Sequence, residues 1–299
     1  IFKIKRDDLF KKTDVKIIFF ENIRFYLEEE RNELNFSKHL ASFADLFVND
    51  AFSCSHRSHA SICKITEFLP SFSGLQLEKE IDALKKVTTE IKKPTTCIIG
   101  GSKISTKIKV ITNLVKKVNN LIIVGAMANN FFIYKNYKVG KSLIEENTKD
   151  IIDDIYKKGK KNNCDIIIPE DCMVGTDFNG KGENKDLAEV QDREIILDIG
   201  INTIKNIKKK IDQSNTVLWN GPAGYFENEN FSHGTISIAE SISKNTFEGT
   251  LVSVLGGGDT LAAINKSKNK LSFSHLSTAG GAFLEYLEGK DLPGLSVLK

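Results

Sequence analysis

Several absences narrow the class of this 299-residue chain. It contains no uninterrupted run of about 18 apolar residues, so no bilayer-spanning helix is expected. The opening Ile1-Phe2-Lys3-Ile4-Lys5-Arg6 has neither an initiator Met nor an apolar leader; no secretory signal is expected, and the start reads as that of a fragment. Cysteine is scarce: the five residues at 54, 63, 97, 164 and 172 are odd in number and form no C-x-x-C pair. That argues against a disulfide framework and fits free thiols in a reducing cytoplasm. The five histidines show no H-E-x-x-H or other zinc spacing, so no transition-metal site is expected. Acidic and basic residues nearly balance, with a net charge of +3 and no basic tail, so nucleic acid is not an expected partner.

Familiar phosphate signatures are missing too. Gly140-Lys141-Ser142 ends like a G-x-x-x-x-G-K-[ST] loop, but Lys135 stands where the first glycine is required. A kinase H-R-D is absent, since His56-Arg57 continues with Ser58, and no G-x-G-x-x-G occurs.

The chain is long enough for two domains, and short apolar strands alternate along it with helical segments. Cys97-Ile98-Ile99 runs into Gly100-Gly101-Ser102-Lys103, and Leu121-Ile122-Ile123-Val124 into Gly125-Ala126-Met127-Ala128-Asn129. Asp165 to Ile168 runs into Pro169-Glu170-Asp171, and Thr216-Val217-Leu218-Trp219 into Asn220-Gly221-Pro222-Ala223-Gly224. Leu251 to Leu255 meets Gly256-Gly257-Gly258-Asp259-Thr260, and Phe273 to Leu276 meets Ser277-Thr278-Ala279-Gly280-Gly281. This rhythm predicts a parallel α/β sheet whose small-residue loops all lie at strand carboxyl ends, where they build one pocket. The lysine-rich pieces around 157–161 and 205–210 read as solvated helix faces.

Two loops point to an anion. The triple glycine lets the backbone approach a phosphate, the following helix start adds attraction, and Asp259 stands where a carboxylate could meet a divalent cation. The alternative for this stretch is that Asp259 or Thr260 merely N-caps the helix. In the other loop, Lys103 and Lys107 are four apart at an expected helix start. Cations set against the helix dipole there suggest a bound polyanion; two ordinary surface lysines are the other reading.

Before residue 70, Val15 to Phe20 and Leu46-Phe47-Val48 read as strands, with a charged helical segment between them to about Ala44. They deliver Arg24 and Arg57, with His56 and His59, past their carboxyl ends, as an anion clamp or as solvated surface residues. Pro70 to Gly74 punctuates the chain. A helix follows with Leu77, Ile81, Leu84 and Val87 inward and Glu78, Lys79, Glu80, Lys85 and Lys86 outward, as a connector or a covering helix.

Eight strings in order resemble the phosphoglycerate kinase family over nearly the whole chain: Glu21 to Phe25, Val48 to Phe52, His56 to Ser61, Gly100 to Lys107, Gly125 to Asn129, Trp219 to Glu227, Gly256 to Thr260 and His275 to Thr278. The resemblance implies two Rossmann-like three-layer α/β domains with parallel sheets facing across a hinged cleft, the N-terminal one incomplete here. The expected divisions are 1–70 for 3-phosphoglycerate, 71–90 for the hinge helix, 91–282 for the nucleotide and 283–299 for a tail returning to the first domain.

It further implies Mg2+-dependent phosphoryl transfer between ATP and 3-phosphoglycerate, giving ADP and 1,3-bisphosphoglycerate, by a monomer in the cytoplasm with no membrane or nucleic-acid partner. Lys103, Arg24 and Arg57 are the implied catalytic groups, and Arg24, Arg57 and His56 the substrate ligands. Nucleotide binding is implied for Gly101, Lys103, Lys107, Gly125, Asn220, Glu227, Gly256, Gly257, Gly258, Asp259 and Thr260. Ser277, Thr278, Gly280 and Gly281 form the implied loop for the transferred phosphate, and Asp259 meets the metal. The family's Asp-x-Asn strand and His-x-Gly-Arg loop are absent, so these residues alone are expected to bind substrate poorly and turn over little; a nucleotide-binding fragment is the alternative. Ala279 stands where the family usually has glycine, and Ile201 where it often has proline.

Overall fold

The computed structural model describes residues 17–298. The chain divides into two compact units, Ile1–Ile81 with Lys290–Lys299, and Asp82–Gly289.

In the first unit, β1 (Phe47–Asn49) pairs in parallel with β2 (Ser71–Ser73), matching Val48 with Phe72. Phe36, Leu40, Ala41, Ala60 and Ile65 form its core, with Tyr26, Phe47 and Phe68 against them. The expected helix to about Ala44 is two helices, Leu27–Glu30 and Leu34–Ala41. The break falls at Asn32, whose φ of 56° lies in the left-handed region that asparagine tolerates. Of the expected strand at 15–20, Val15 and Lys16 lie outside the described residues, and Ile17–Phe20 carries no regular structure and is mostly exposed. Ser71–Ser73, read from the sequence as punctuation, instead pairs with β1.

Asp50, just past β1, fixes the next helix, Leu75–Thr88: its Oδ1 accepts from the amides of Gln76 at 2.7 Å and Leu77 at 2.9 Å. A carboxylate at a helix start satisfies amides that have no partner within the helix. Gly74 leaves it room, since a Cβ there would lie 2.4 Å from the Asp50 carboxyl carbon. Leu77, Leu84 and Val87 are fully buried on this helix, but Glu80, expected outside, is only 4% exposed. Residues 77, 80, 84 and 87 share one stripe at helical spacing, which carries Glu80 inward with its apolar neighbours. In the same unit the short helix Pro293–Ser296 is tied down: the Gly294 amide donates to the Ser55 carbonyl at 2.8 Å, and Asn49 Nδ2 donates to the Gly294 carbonyl at 3.1 Å.

The second unit contains β3 (Thr95–Ile99), β4 (Asn120–Ile123), β5 (Asp165–Ile167), β6 (Asp171–Gly175), β7 (Glu183–Asp186), β8 (Ile195–Ile199), β9 (Thr216–Asn220), β10 (Val252–Gly256) and β11 (His275–Ser277). Six of them form one sheet in the order β11-β10-β9-β3-β4-β5, and every pairing in it is parallel. The remaining three form an antiparallel sheet, β7-β6-β8. Strands β3, β4 and β9 are buried along their whole length, which explains why they read as unbroken apolar runs rather than alternating ones. Ile98, Ile122, Val217, Trp219 and Leu255 pack with Ile204, Ile207 and Ile211 of helix Ile201–Asp212 and with Ile238 and Ile242 of helix His233–Phe247. Ile201, where the resemblance expects proline, donates its amide to Asn184 Oδ1 at 2.9 Å, a bond proline lacks the N–H to make. No helix among the described residues is long and apolar enough to cross a membrane.

The strand order matters most for function. Counting outward from the centre, the sheet runs β3, β4, β5 one way and β9, β10, β11 the other, so the winding reverses between β3 and β9. Loops leaving such a pair in opposite directions open a crevice at the carboxyl edge, where ligands bind in open α/β sheets.

Candidate functional site

At that reversal the backbone is held together by glycines. A Cβ on Gly100 would lie 2.2 Å from the Pro222 carbonyl oxygen, and one on Gly221, whose φ is 97°, would lie 2.3 Å from the Gly100 oxygen. Gly125, at the end of β4, would meet the Gly101 amide nitrogen at 2.8 Å. These glycines are required by protein contacts before any ligand is considered. Gly256 is similar, with the Phe283 ring 2.5 Å from its missing Cβ. Packing alone therefore requires glycine there; its carbonyl accepts from Asn220 Nδ2 at 2.8 Å and from the Thr260 hydroxyl at 3.0 Å.

Gly258 and Gly280 differ, for nothing lies within 4 Å of a Cβ on either. Gly257, with φ of 102°, holds the cap position of helix Gly258–Ile264. The reading of Asp259 or Thr260 as the N-cap is thus set aside. Thr260 is fully buried and accepts from the Gly221 amide at 2.7 Å, binding the ends of β9 and β10 to each other. Asp259 is exposed and lines the adjoining cavity.

Asn220 is buried at the centre, and both ends of its amide are engaged: Nδ2 donates to Gly256, and Oδ1 accepts from Lys107 Nζ. It is a brace for three loops. Burial pushes the Lys107 ammonium down to about 8, against the opposing influence of Cys97 and Asp259. An amine so placed gains from any anion brought beside it. The expected helix start at Lys103 is not found: residues 102–107 form turns, Lys107 caps helix Ile108–Leu114, and Lys103 is exposed in the loop. The four-residue spacing of the lysines is therefore not helical. The turn is set by tertiary contacts, with Ile104 fully buried and Ser105 bonded to Glu145.

A cavity of about 470 Å³ opens beside these loops, bounded by Gly101, Gly125, Ala126, Pro222 and Asp259 at one side and by Leu143, Ile196, Tyr225 and Phe226 elsewhere. Its mainly apolar wall with a few polar groups at one end suits a flat apolar body carrying a charged tail. Glu227 is exposed on its rim, and its carbonyl and that of Phe226 each accept from Lys266 Nζ at 3.1 Å. Sequence reasoning missed Lys266, Thr235 and Asp198. The Thr235 hydroxyl accepts from the Ala223 amide at 2.9 Å, and Asp198 Oδ2 accepts from the Gly234 amide at 2.7 Å. Burial raises the Asp198 carboxyl from 3.8 to about 7, although its two amide bonds favour the ionised form.

β10 lies beside β11, with Gly256 opposite Ser277, so the last loop joins the same edge. Ser277 is fully buried and its hydroxyl accepts from the Ala279 amide at 3.3 Å, while Thr278 and Gly281 are exposed. Ala279 is 4% exposed, so its methyl occupies the interior and leaves Gly280 at the open side.

The first unit holds the predicted arginines. Arg24 is exposed in the turn Ile23–Phe25, whose start is capped by Asn22 Oδ1 accepting from the Arg24 amide at 3.1 Å. Arg57 and His56 are half-buried in the segment after β1, and neither the Arg24 nor the Arg57 guanidinium forms an ion pair among the described residues. The segment is anchored by a residue the sequence did not single out: Glu29, 1% exposed, accepts from the Ser61 amide at 2.9 Å and hydroxyl at 2.6 Å, with His59 Nδ1 at 3.7 Å.

Comparison with known proteins agrees with this geometry. The sequence pattern of the phosphoglycerate kinase family matches residues 4–290. The chain is 48% identical over 281 residues to a phosphoglycerate kinase of Wolbachia pipientis subsp. Culex pipiens, covering 93% of this chain and 71% of that protein. It is 46% identical over 285 residues to one from Bartonella bacilliformis, with 95% and 71% covered. Among solved structures it is similar to phosphoglycerate kinase from Coxiella burnetii, with a TM-score of 0.87 and 38% identity over 92% of this chain and 71% of that one. The same enzyme from Pyrococcus horikoshii gives a TM-score of 0.77 and 29% identity over 93% and 71%.

Proposed function

Because the chain belongs to the phosphoglycerate kinase family, we propose that it transfers the γ-phosphoryl group of ATP to the carboxylate of 3-phosphoglycerate, and in glycolysis runs in reverse to make ATP. The observation that carries this reading is the gathering of Lys107, Asn220, Gly257 to Thr260 and Ser277 at the edge where the sheet reverses.

In-line phosphoryl transfer spreads negative charge over equatorial oxygens, so catalysis is mainly positioning and electrostatics. The acceptor is already a carboxylate and needs no general base. That agrees with a chain whose functional groups for the transfer are guanidinium, ammonium, amide and one metal-binding carboxylate. Lys107, held in place by Asn220, and the open backbone at Gly258 would bind the nucleotide phosphates. Lys103, exposed at the end of β3, would meet the phosphoryl group as its charge develops. The apolar wall at Tyr225 and Phe226 suits the base, and the Glu227 carboxylate on the rim would accept from ribose hydroxyls. Arg24, Arg57 and His56 would hold 3-phosphoglycerate, with the guanidinium groups pairing in bidentate fashion with its anionic ends. Thr278, Gly280 and Gly281 would receive the transferred phosphate.

Asp259 fits Mg2+, being an exposed carboxylate at the cavity rim with open space at the neighbouring Gly258. The ion, when bound with nucleotide, would neutralise phosphate charge. Action as a monomer in the cytoplasm belongs to the same proposal.

A coupled assay with 3-phosphoglycerate and Mg-ATP, paired with calorimetry of Mg-ADP binding, tests the reading. Mg-ADP binding with turnover on both substrates, low in amount as the missing substrate strings imply, is the outcome that supports the kinase reading; binding without turnover would reduce the chain to a nucleotide-binding module. That second reading is supported by the nucleotide residues all falling within Asp82–Gly289.

A further inference from the structure

The loop that carries Lys103 has no regular structure of its own, yet its backbone is held from outside. Glu145, half-buried in the irregular stretch 142–145, accepts from the Ser105 amide through Oε2 at 3.1 Å and from the Ser105 hydroxyl through Oε1 at 2.5 Å. Burial pushes the Glu145 carboxyl up, but the Ser105 hydroxyl, the amides of Ser105 and Ile104 and the charge of Lys103 together outweigh it and hold the group below the usual range.

Glu145 is itself secured. Its amide donates to Asn130 Oδ1 at 2.9 Å, and Asn129 Nδ2 donates to the Leu143 carbonyl at 2.9 Å. Asn129 and Asn130 are 1% and 2% exposed on helix Ala128–Tyr134, which follows the Gly125 turn at the end of β4. A continuous strap therefore runs from the end of β4, through two buried asparagines and the backbone of 143–145, to the loop at the end of β3. The Met127 amide, donating to the Gly101 carbonyl at 2.9 Å, ties the same two strand ends directly. Beyond Gly101, the turn where Lys103 sits is held by the buried Ile104, by the Thr106 hydroxyl donating to the Lys103 carbonyl at 2.9 Å and by Glu145, which reaches it from a distant segment.

We propose that Glu145 is a positioning residue for phosphoryl transfer, holding the Lys103 loop by its backbone so that the ammonium meets the moving phosphoryl group. The role rests on the kinase reading above. A carboxylate that accepts through both oxygens, from the amide and the hydroxyl of one loop residue, leaves the loop little freedom, and a displacement of about 1 Å at a charge donor costs up to about 100-fold in rate. Glu145 belongs to none of the strings that carry the family resemblance, and it does not line the cavity.

Two readouts on the full chain test this. The first is amide exchange over 102–107, followed by mass spectrometry; the second is kcat alongside the calorimetric affinity for Mg-ADP. Glu145→Ala is expected to speed exchange of that segment and lower kcat by roughly 10- to 100-fold, with ADP affinity within about twofold. Glu145→Gln keeps an acceptor for the Ser105 amide and a donor for its hydroxyl, so it is expected to recover most of kcat and the slow exchange. Unchanged exchange and kcat in Glu145→Ala would overturn the proposal. So would a fall in ADP affinity that matches the fall in kcat, or a Gln variant as slow as the Ala variant. Absence of turnover in the unsubstituted chain would instead overturn the kinase reading, leaving exchange to decide whether Glu145 holds the loop.

Discussion

The carboxyl edge of the six-stranded sheet has a closed side and an open side, made from the same residue types. Gly100 and Gly221 touch each other's backbone, whereas Gly258 and Gly280 face empty space. Lys107 is largely buried and bonded to Asn220, whereas Lys103 is exposed. One side builds the crevice and the other is left to meet a ligand. Residue type in a motif thus does not reveal which task a residue performs; its neighbours do.

Substitution on either side should separate the two tasks. The largest effect is expected from Gly221→Ala, which forces a methyl against the Gly100 carbonyl at a φ suited to glycine. A loss of about 3 kcal/mol or more is expected in urea unfolding, with Mg-ADP binding lost in parallel. A well-folded variant with normal affinity would break the comparison. On the open side, Lys103→Ala should lower kcat on the order of 100-fold and leave ADP affinity nearly intact, as deletion of one preorganised charge donor does. If calorimetry shows the loss in affinity instead, Lys103 belongs with Lys107.

A pH effect follows from the closed side. Asp198 binds its proton more tightly folded than unfolded, so between about pH 4 and pH 7 the folded chain carries the extra proton. Its contribution to stability is therefore complete below about pH 4 and is lost as pH rises through about 7. Urea midpoints measured across that range should decline with pH, and Asp198→Asn should flatten the decline. The smallest effect is expected from Gly258→Ala: stability within about 0.5 kcal/mol of the parent, with a several-fold weaker calorimetric affinity for Mg-ADP. A large stability loss there would place Gly258 with the crowded glycines.

Much of this edge was legible in the sequence, because strands buried on both faces read as apolar runs and their loops are marked by small residues. The ends of β3, β4, β9 and β10 were found in that way, while β11, an edge strand with Leu276 exposed, was marked by its small-residue loop. The start of the helix after Gly101 was misplaced, since the contact that keeps residues 102–107 out of it comes from Glu145, forty residues away. Asn32 broke an expected helix through a backbone angle that has no periodic signature. Thr260 offered an N-cap reading and Thr235 carried no signal, yet each bonds the backbone of the loop after β9. Glu29, Asp198 and Lys266 likewise act through partners distant in sequence. Local pattern predicts elements, but pairings between remote residues decide what each polar side chain is for.

The placement of β3 against β9 has a consequence for how the protein is made. Thr95 pairs with Thr216, so a growing polypeptide must have supplied everything between them before the two central strands can meet. Such non-local closure is slow compared with helix formation. Nucleotide affinity should accordingly emerge late during synthesis or refolding, making bound ADP a reporter of completed topology rather than of early collapse.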